Sequence, residues 1–331
     1  MPDPGLSIVI PFYEDPAEAA ELARLTQEQL PSNTTAEWIL IALDGNKLEL
    51  SKWNFDVPAF TKILVCRNFV GLPHGKNIAL QACKGTFVLF LMPGLRPTDG
   101  AIIRLKATLE GDLSCAAVGG RWENKKGFVE KGYNLRRFPT FAALVFDVLL
   151  INKVMPWNPI TRHYKMHDFD HCTPCKAEHA NDINFMARTE VLLGIGGFDE
   201  KFGIVWFDQV DMCRNLRRRN LSVCFQPNAL FVSTEKEPLV NRIVADHYAR
   251  YYRDELRFVE HEFGRVCGWT FRAALIAGMM IRIAFVSLLT SRLRRSLLHK
   301  YRSYVTEQHV LKMRSSYFET LSWAVSRRIG E

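Results

Sequence analysis

The chain has 331 residues, 48% of them apolar, and a formal net charge of +8 at neutral pH. That is enough apolar material to bury a full core, which excludes a disordered polyelectrolyte. The positive charge is concentrated: residues 265–328 hold twelve Lys or Arg against Glu307 and Glu319, interleaved with apolar helix-like runs. Such interleaving points to an anionic lipid surface and away from nucleic acid.

At the N-terminus Asp3 and Pro4 precede a short apolar run that ends at Pro11. This is no cleavable signal, so a cytoplasmic body is expected. Eight cysteines occur at irregular spacing, and Cys66, Cys83, Cys115 and Cys224 sit in apolar segments as small hydrophobes. A disulfide framework is not expected.

In chain order, residues 6–11, 38–44, 61–67, 86–91 and 115–119 read as β-rich strands. Between them, 16–30, 73–83 and 98–109 read as helices, the first and third opened by proline or threonine. The alternation predicts an α/β fold with a mostly parallel sheet covered by helices on both faces. Ligands in such sheets bind at the carboxyl ends of the strands, where Pro11-Phe12-Tyr13-Glu14, Asp44-Gly45-Asn46 and Met92-Pro93-Gly94 fall. After Gly120 the pattern changes. Residues 122–137 are polar and turn-rich, 139–154 read as an amphipathic helix, and 156–180 as irregular acceptor-side chain.

The segment 196–227 is the most informative. Gly196-Gly197-Phe198-Asp199-Glu200 leads to Asp208 and Asp211 at the start of an arginine-rich helix, followed by a strand at 221–225. Acids at a helix N-terminus are held ionised by the dipole and the free N–H groups. From Val240 onward the pattern is helical, with 246–258 amphipathic and 271–290 strongly apolar. The division expected is a catalytic domain at 1–235 and a basic amphipathic helical tail at 236–331.

The opening LSIVIPFYE and the set Asn68, Gly71, Lys76, Asn77 and Gly85 ahead of a strand, with GGFDE and the acids after it, resemble family 2 glycosyltransferases of the GT-A fold. RRFPT, the run from Ile151 to His171 and NFMARTE are similar to the rhamnosyltransferase-like branch. The resemblance covers roughly residues 6–233. It implies a hexosyltransferase-like enzyme that moves a sugar from a nucleoside-diphosphate sugar to a lipid-linked or polysaccharide acceptor with inversion. Pro11, Phe12, Tyr13, Glu14, Asp44, Asn68, Lys76, Asn77, Met92 and Gly94 would then stand on the donor side. Gly197, Phe198, Asp199, Trp206 and Phe207 would line the acceptor side, and Asp208 or Asp211 would take the acceptor proton.

The same resemblance implies Mg2+ or Mn2+ at an Asp-x-Asp element after the fourth strand. Here that element reads Met92-Pro93-Gly94, and neither side chain can bind a hard cation. Gln209 stands where the second acid of the base motif is expected, and Ser233 where a histidine often follows the last strand. Two readings follow: transfer without the usual metal, with Arg or Lys on the diphosphate, or a GT-A-fold binding or assembly partner in glycan synthesis that performs no transfer.

Other clusters have blander readings beside them. Cys172 and Cys175 with nearby histidines have zinc-like spacing, but Asp170 and His171 are already explained by the resemblance. Asp168-Phe169-Asp170 is an Asp-x-Asp sequence in the wrong place for a donor metal. Arg214, Arg217, Arg218 and Arg219 read as a solvated face, with phosphate neutralisation as the functional alternative. Arg272 and Arg282 would be costly inside a bilayer. The apolar run that holds them, with the two arginines about 80° of arc apart and compatible with a polar edge, therefore reads as an interfacial helix on the inner face of the membrane; the alternatives are a membrane span and a helix packed on the body or a dimer partner.

Overall fold

The computed structural model describes residues 5–13, 15–47, 55–129, 131–234, 239–290 and 307–326. Glu14, expected on the donor side, and the basic residues between 291 and 306 lie outside the described residues. Two compact units are formed, Met1–Phe138 with His163–Ile243, and Pro139–Arg162 with Val244–Glu331. Residues 139–162 therefore group with the C-terminal helices.

The first unit opens as expected. β1 (Leu6–Phe12), α1 (Pro16–Glu28), β2 (Ala36–Ala42), β3 (Thr61–Val65), α2 (Leu72–Ala82) and β4 (Phe87–Leu91) alternate, then β5 (Leu95–Pro97), α3 (Ala101–Gly111) and β6 (Cys115–Glu123) follow. Asp15 caps α1 by accepting from the Ala17 N–H, and Pro16 sits at its first turn. α3 begins at Ala101, later than the sequence suggests, because Gly100 ahead of it adopts a left-handed conformation.

The remaining elements are β7 (Leu135–Arg136), α4 (Phe141–Val148), α5 (Ile151–Val154), α6 (Pro159–Tyr164), β8 (Cys175–Ala177), β9 (His179–Ala180) and β10 (Asn184–Arg188). After these come α7 (Thr189–Gly194), α8 (Phe207–Arg218), β11 (Ser222–Ser233), α9 (Leu239–Asp246), α10 (Tyr248–Thr290) and α11 (Glu307–Ser326).

A nine-stranded sheet runs β3-β2-β1-β4-β10-β6-β11-β5, with β8 on β11. The pairs β3-β2, β2-β1, β1-β4 and β6-β11 are parallel, while β10 lies antiparallel between β4 and β6. β1 is buried along its whole length, as a strand covered on both faces must be. The core beside it joins Val9, Ile39 and Phe90 to Phe185, Met212 and Leu216. Cys115 on β6 and Cys224 on β11 meet in the interior with Cα atoms 6.2 Å apart. That separation lies within disulfide reach, so these two are more than the isolated hydrophobes expected.

In the second unit, one helix expected over 139–154 is two, α4 and α5, separated by Leu150 with φ 62°. α10 is broken at Gly264, whose φ of 85° is non-helical. The two arginines of its apolar half face inward. Arg272 Nε donates to the Ala324 carbonyl (2.6 Å) and Nη2 to that of Val325 (3.3 Å), at the end of α11. Arg282 donates to the carbonyls of Val148 and Asp147, at the end of α4, and to the Tyr252 hydroxyl. Their spacing is compatible with a polar edge; here each satisfies the open carbonyls of a neighbouring helix C-terminus.

Candidate active site

At the carboxyl ends of β1, β2 and β3 the chain builds a shallow edge site. The Leu43 N–H donates to the Phe12 carbonyl (2.8 Å) and the Gly45 N–H to that of Cys66 (2.7 Å), which draws the three strand ends together. Tyr13 meets Phe69 edge-on at 5.0 Å between ring centroids. Asp44 Oδ1 accepts from the Asn46 N–H, and the Asn46 amide donates to Asn68 Oδ1 at 2.7 Å. Tyr13, Asp44 and Asn68 are thus brought together at this edge. Pro11 and Phe12 stand inside β1 and belong to the buried strand.

The second half of the site is a buried charged cluster at the same edge. Lys76, on the first turns of α2, and Asp208, on the first turn of α8, are both 0% exposed and stand 2.5 Å apart. The contact is off-axis for a hydrogen bond, and neither the ammonium nor the two carboxylate oxygens has any other hydrogen-bond partner. The Lys76 ammonium also lies 4.1 Å from the centroid of the Phe198 ring. Lys76 is therefore neither a surface lysine nor free to reach a donor diphosphate while this pair is closed. Asp208 is likewise sealed from solvent.

Asp182 joins them from the turn before β10. The β4–β10 register, with Asn184 opposite Leu91 and the Met92 N–H donating to the Ile183 carbonyl, brings Asp182 alongside Pro93. Burial pushes its carboxyl up to about 6, with Asp208 adding to the rise; Lys76, the Trp206 N–H and Arg136 pull the other way. His179 is buried and its imidazole is pushed down to about 3, by burial first and then by Arg136 and Lys76. Asp182 Oδ2, His179 Nε2, both amide atoms of Asn184 and Gln209 Oε1 are buried without a hydrogen-bond partner.

Trp206 roofs the cluster. It has φ 83° at the start of α8, with Arg136 stacked 3.7 Å from its ring centroid and His179 edge-on at 4.6 Å. A positive φ at a bulky residue is strained and is held only where neighbours fix it. Arg136 and His179 are partners on the two-stranded β7–β9 ladder, which fixes them beside one another.

Several expected site residues have other duties. The amide of Asn77 accepts from the Phe198 N–H and donates to the Phe198 carbonyl and Glu200, locking the GGFDE turn. A Cβ on Gly197 would meet Asn77 Oδ1 at 2.4 Å, so the turn requires glycine there. Phe198 packs on Phe90 and Phe185, and Phe207 is fully buried against Phe202, so both side chains belong to the core. Trp206 stays partly exposed. Asp211, one turn beyond Asp208, accepts from Asn215 and lines a polar recess of about 460 Å³ with Gly197, Phe198 and Asp199.

Arg214 and Arg217 lie over Phe138, and Arg219 donates to the Gly194 carbonyl at the end of α7.

Met92 is buried and Gly94 has φ 94°, with its carbonyl accepting from the Thr234 N–H. This donor set does not fit Mg2+ or Mn2+, since it offers no side-chain oxygen. Among the described residues no group of three or more His, Cys, Asp or Glu gathers as a metal site. His171 packs between Phe169 and Phe225, Asp170 caps its own turn, and Cys172 is exposed beside Arg121. Sequence reasoning missed Arg136, His179 and Asp182. A polar Asn181-Asp182-Ile183-Asn184 run directly ahead of an apolar strand was the available signal.

The protein has a GT-A fold, an α/β architecture with a largely parallel central sheet flanked by helices, followed by a long C-terminal helical region. GalNAc-T7, solved with UDP, GalNAc and Mn2+, shares this fold at a TM-score of 0.50 and 13% identity, over 78% of this chain and 50% of that one. The chain therefore spans about half the length of that protein. A mannosyltransferase from Pyrobaculum calidifontis, PcManGT, solved with GDP-Man and Mn2+, aligns at 0.49 and 12% identity over 98% of this chain and 87% of its own. No protein-family model matches the sequence, and no curated protein does.

Proposed function

We propose that the protein is an inverting glycosyltransferase of the family 2 type, in the rhamnosyltransferase-like branch. It would act on a nucleoside-diphosphate sugar and a lipid-linked or polysaccharide acceptor, without a divalent metal at the Met92–Gly94 position. The observation that carries the reading is the buried ionisable cluster of Lys76, Asp182 and Asp208 beside Arg136, at the strand edge where this fold class binds ligands. Such groups cost stability and are hard to explain as packing.

The nucleotide is assigned to Tyr13, Asp44 and Asn68. In the reaction the acceptor oxygen bonds to the anomeric carbon as the bond from that carbon to the diphosphate oxygen breaks. The electron pair leaves with the diphosphate, and the acceptor proton passes to a carboxylate. Asp182 and Asp208 are the carboxylates at the edge, and Asp182, near 6, has the affinity a base working near neutrality needs. Asp211 lies a turn farther along α8. Positive charge for the diphosphate comes from Arg136, the half-buried cation of the cluster, with Lys76 behind it.

The test is calorimetry and turnover with a panel of UDP-, GDP- and TDP-sugars in excess chelator. Nucleotide binding in chelator that is lost in Arg136→Gln, with slow hydrolysis or transfer that is lost in Asp182→Asn, supports the reading; absence of nucleotide binding refutes it. A second reading, a binding or assembly partner that performs no transfer, is favoured by Gln209 and by the closed Lys76–Asp208 pair. It requires that Asp182→Asn and Asp208→Asn leave cellular function intact.

A further inference from the structure

We infer that the helix after Gly264 docks the protein on an anionic lipid bilayer through one apolar face, lying in the interface without crossing it. Val266, Trp269, Met280, Ile281, Phe285 and Leu288 are exposed, Phe285 at 62% and Leu288 at 68%. At 100° per residue they share an arc of about 160°. They extend over roughly 33 Å at 1.5 Å per residue. Neither charged residue of this stretch, Arg272 or Arg282, falls in that arc.

The opposite arc is occupied. Phe271, Leu275, Met279 and Val286 are buried, and Arg272 and Arg282 are committed to the ends of α11 and α4 within the same unit. By length and composition Tyr248–Leu288 contains a window apolar enough to cross a membrane, with hydropathy 1.8. Crossing would submerge α4 and α11 along with it, including the exposed Lys312 of α11 paired to Asp246. A helix with one free apolar face and one face packed on its own unit suits an interface.

Charge selects lipid over a second copy. The segment 265–328 carries twelve Lys or Arg against two Glu, so two copies of it repel one another. An anionic surface attracts the same residues. Trp269 near one end of the stripe is the residue type that favours the headgroup level.

The test is co-sedimentation of the full chain with phosphatidylcholine vesicles, with and without phosphatidylglycerol, at low and high salt. The wild type should bind the anionic vesicles and release partly in salt. Phe285→Asp with Leu288→Asp should lower partitioning by about tenfold or more. Circular dichroism and the melting midpoint should be unchanged, since both side chains are exposed. Independently of any variant's folding, brominated lipid should quench a component of the fluorescence that Trp269→Phe removes. Unchanged partitioning in the double variant, or no quenching difference, overturns the inference. So does a wild-type dimer that the double variant splits while vesicles are ignored, which would assign the face to a second copy.

Discussion

Asp182→Asn is the perturbation most exposed to refutation. The Asp182 carboxyl is raised from 3.8 to about 6, chiefly by burial. At about 1.4 kcal/mol per pH unit the difference is worth roughly 3 kcal/mol. The folded protein holds this proton more tightly than the unfolded chain does. Its contribution therefore favours folding fully below 3.8 and is lost as pH rises through about 6. Asparagine fills nearly the same space and never ionises. Relative to wild type, the variant should gain up to roughly 3 kcal/mol between about pH 4 and pH 7.5. Urea unfolding of both proteins at the two pH values, followed by tryptophan fluorescence, gives this difference of differences directly. Contributions shared by both proteins cancel in it. A gain that is the same at both pH values, or larger in acid, would show that Asp182 is not held above its ordinary range.

The other predictions concern the same cluster and the chain around it. Lys76→Met should cost about 3–5 kcal/mol in urea unfolding, because Asp208 is left as a buried charge without its cation; adding Asp208→Leu should recover most of it. His179 is held near 3, so its contribution is present above 6.5 and lost as pH falls toward 3. His179→Gln should therefore unfold less steeply with acid over that range, opposite in sign to Asp182→Asn. Gly71→Ala should fail to fold or lose more than about 3 kcal/mol, since its Cβ would stand 1.6 Å from the Gly203 carbonyl oxygen. Gly127→Ala, also at positive φ but with nothing within 4 Å, should cost only about 1–2 kcal/mol in the same assay.

The doubly covered strands and the helices between them were legible because apolar runs and start residues are local signals. β10 was not, although NFMAR is apolar enough. It enters antiparallel between β4 and β6, and neither its direction nor its insertion is written in its own residues. β11 extends to Ser233, past the expected end at 225, because a register shift between Gln226 and Leu230 lets it continue along β6 and reach β5. The donor edge was legible in part. Tyr13 and Asp44 follow strands, and the end of a parallel strand is where ligand residues stand. What could not be read was which polar residues face one another. Lys76 and Asp208 are 132 positions apart, and only the packing of α2 against the start of α8 makes them a pair. Arg272 and Arg282 carry the same lesson in reverse. Their spacing suggested a polar edge, yet each caps a helix remote in sequence.

The departures at Met92, Gly94 and Gln209 take on a consistent sense when the charges of the cluster are counted. With Asp182 ionised, two carboxylates face Lys76 and Arg136, His179 is neutral, and the cluster has no net charge. With Asp182 protonated it carries one positive charge. On the proposed function, the charge of a nucleoside diphosphate at this edge would be met by the protein's own cations. The anion in turn favours the protonated form of Asp182, and by linkage binding should draw in a proton. Nucleotide affinity would then rise as pH falls toward about 6 and level off below it. Calorimetry in buffers of different ionisation enthalpy measures that proton directly. Asp182→Asn should abolish the uptake while leaving Arg136 and the nucleotide edge in place. Uptake that persists in the variant would move the titrating group elsewhere and leave the cluster with a purely structural part.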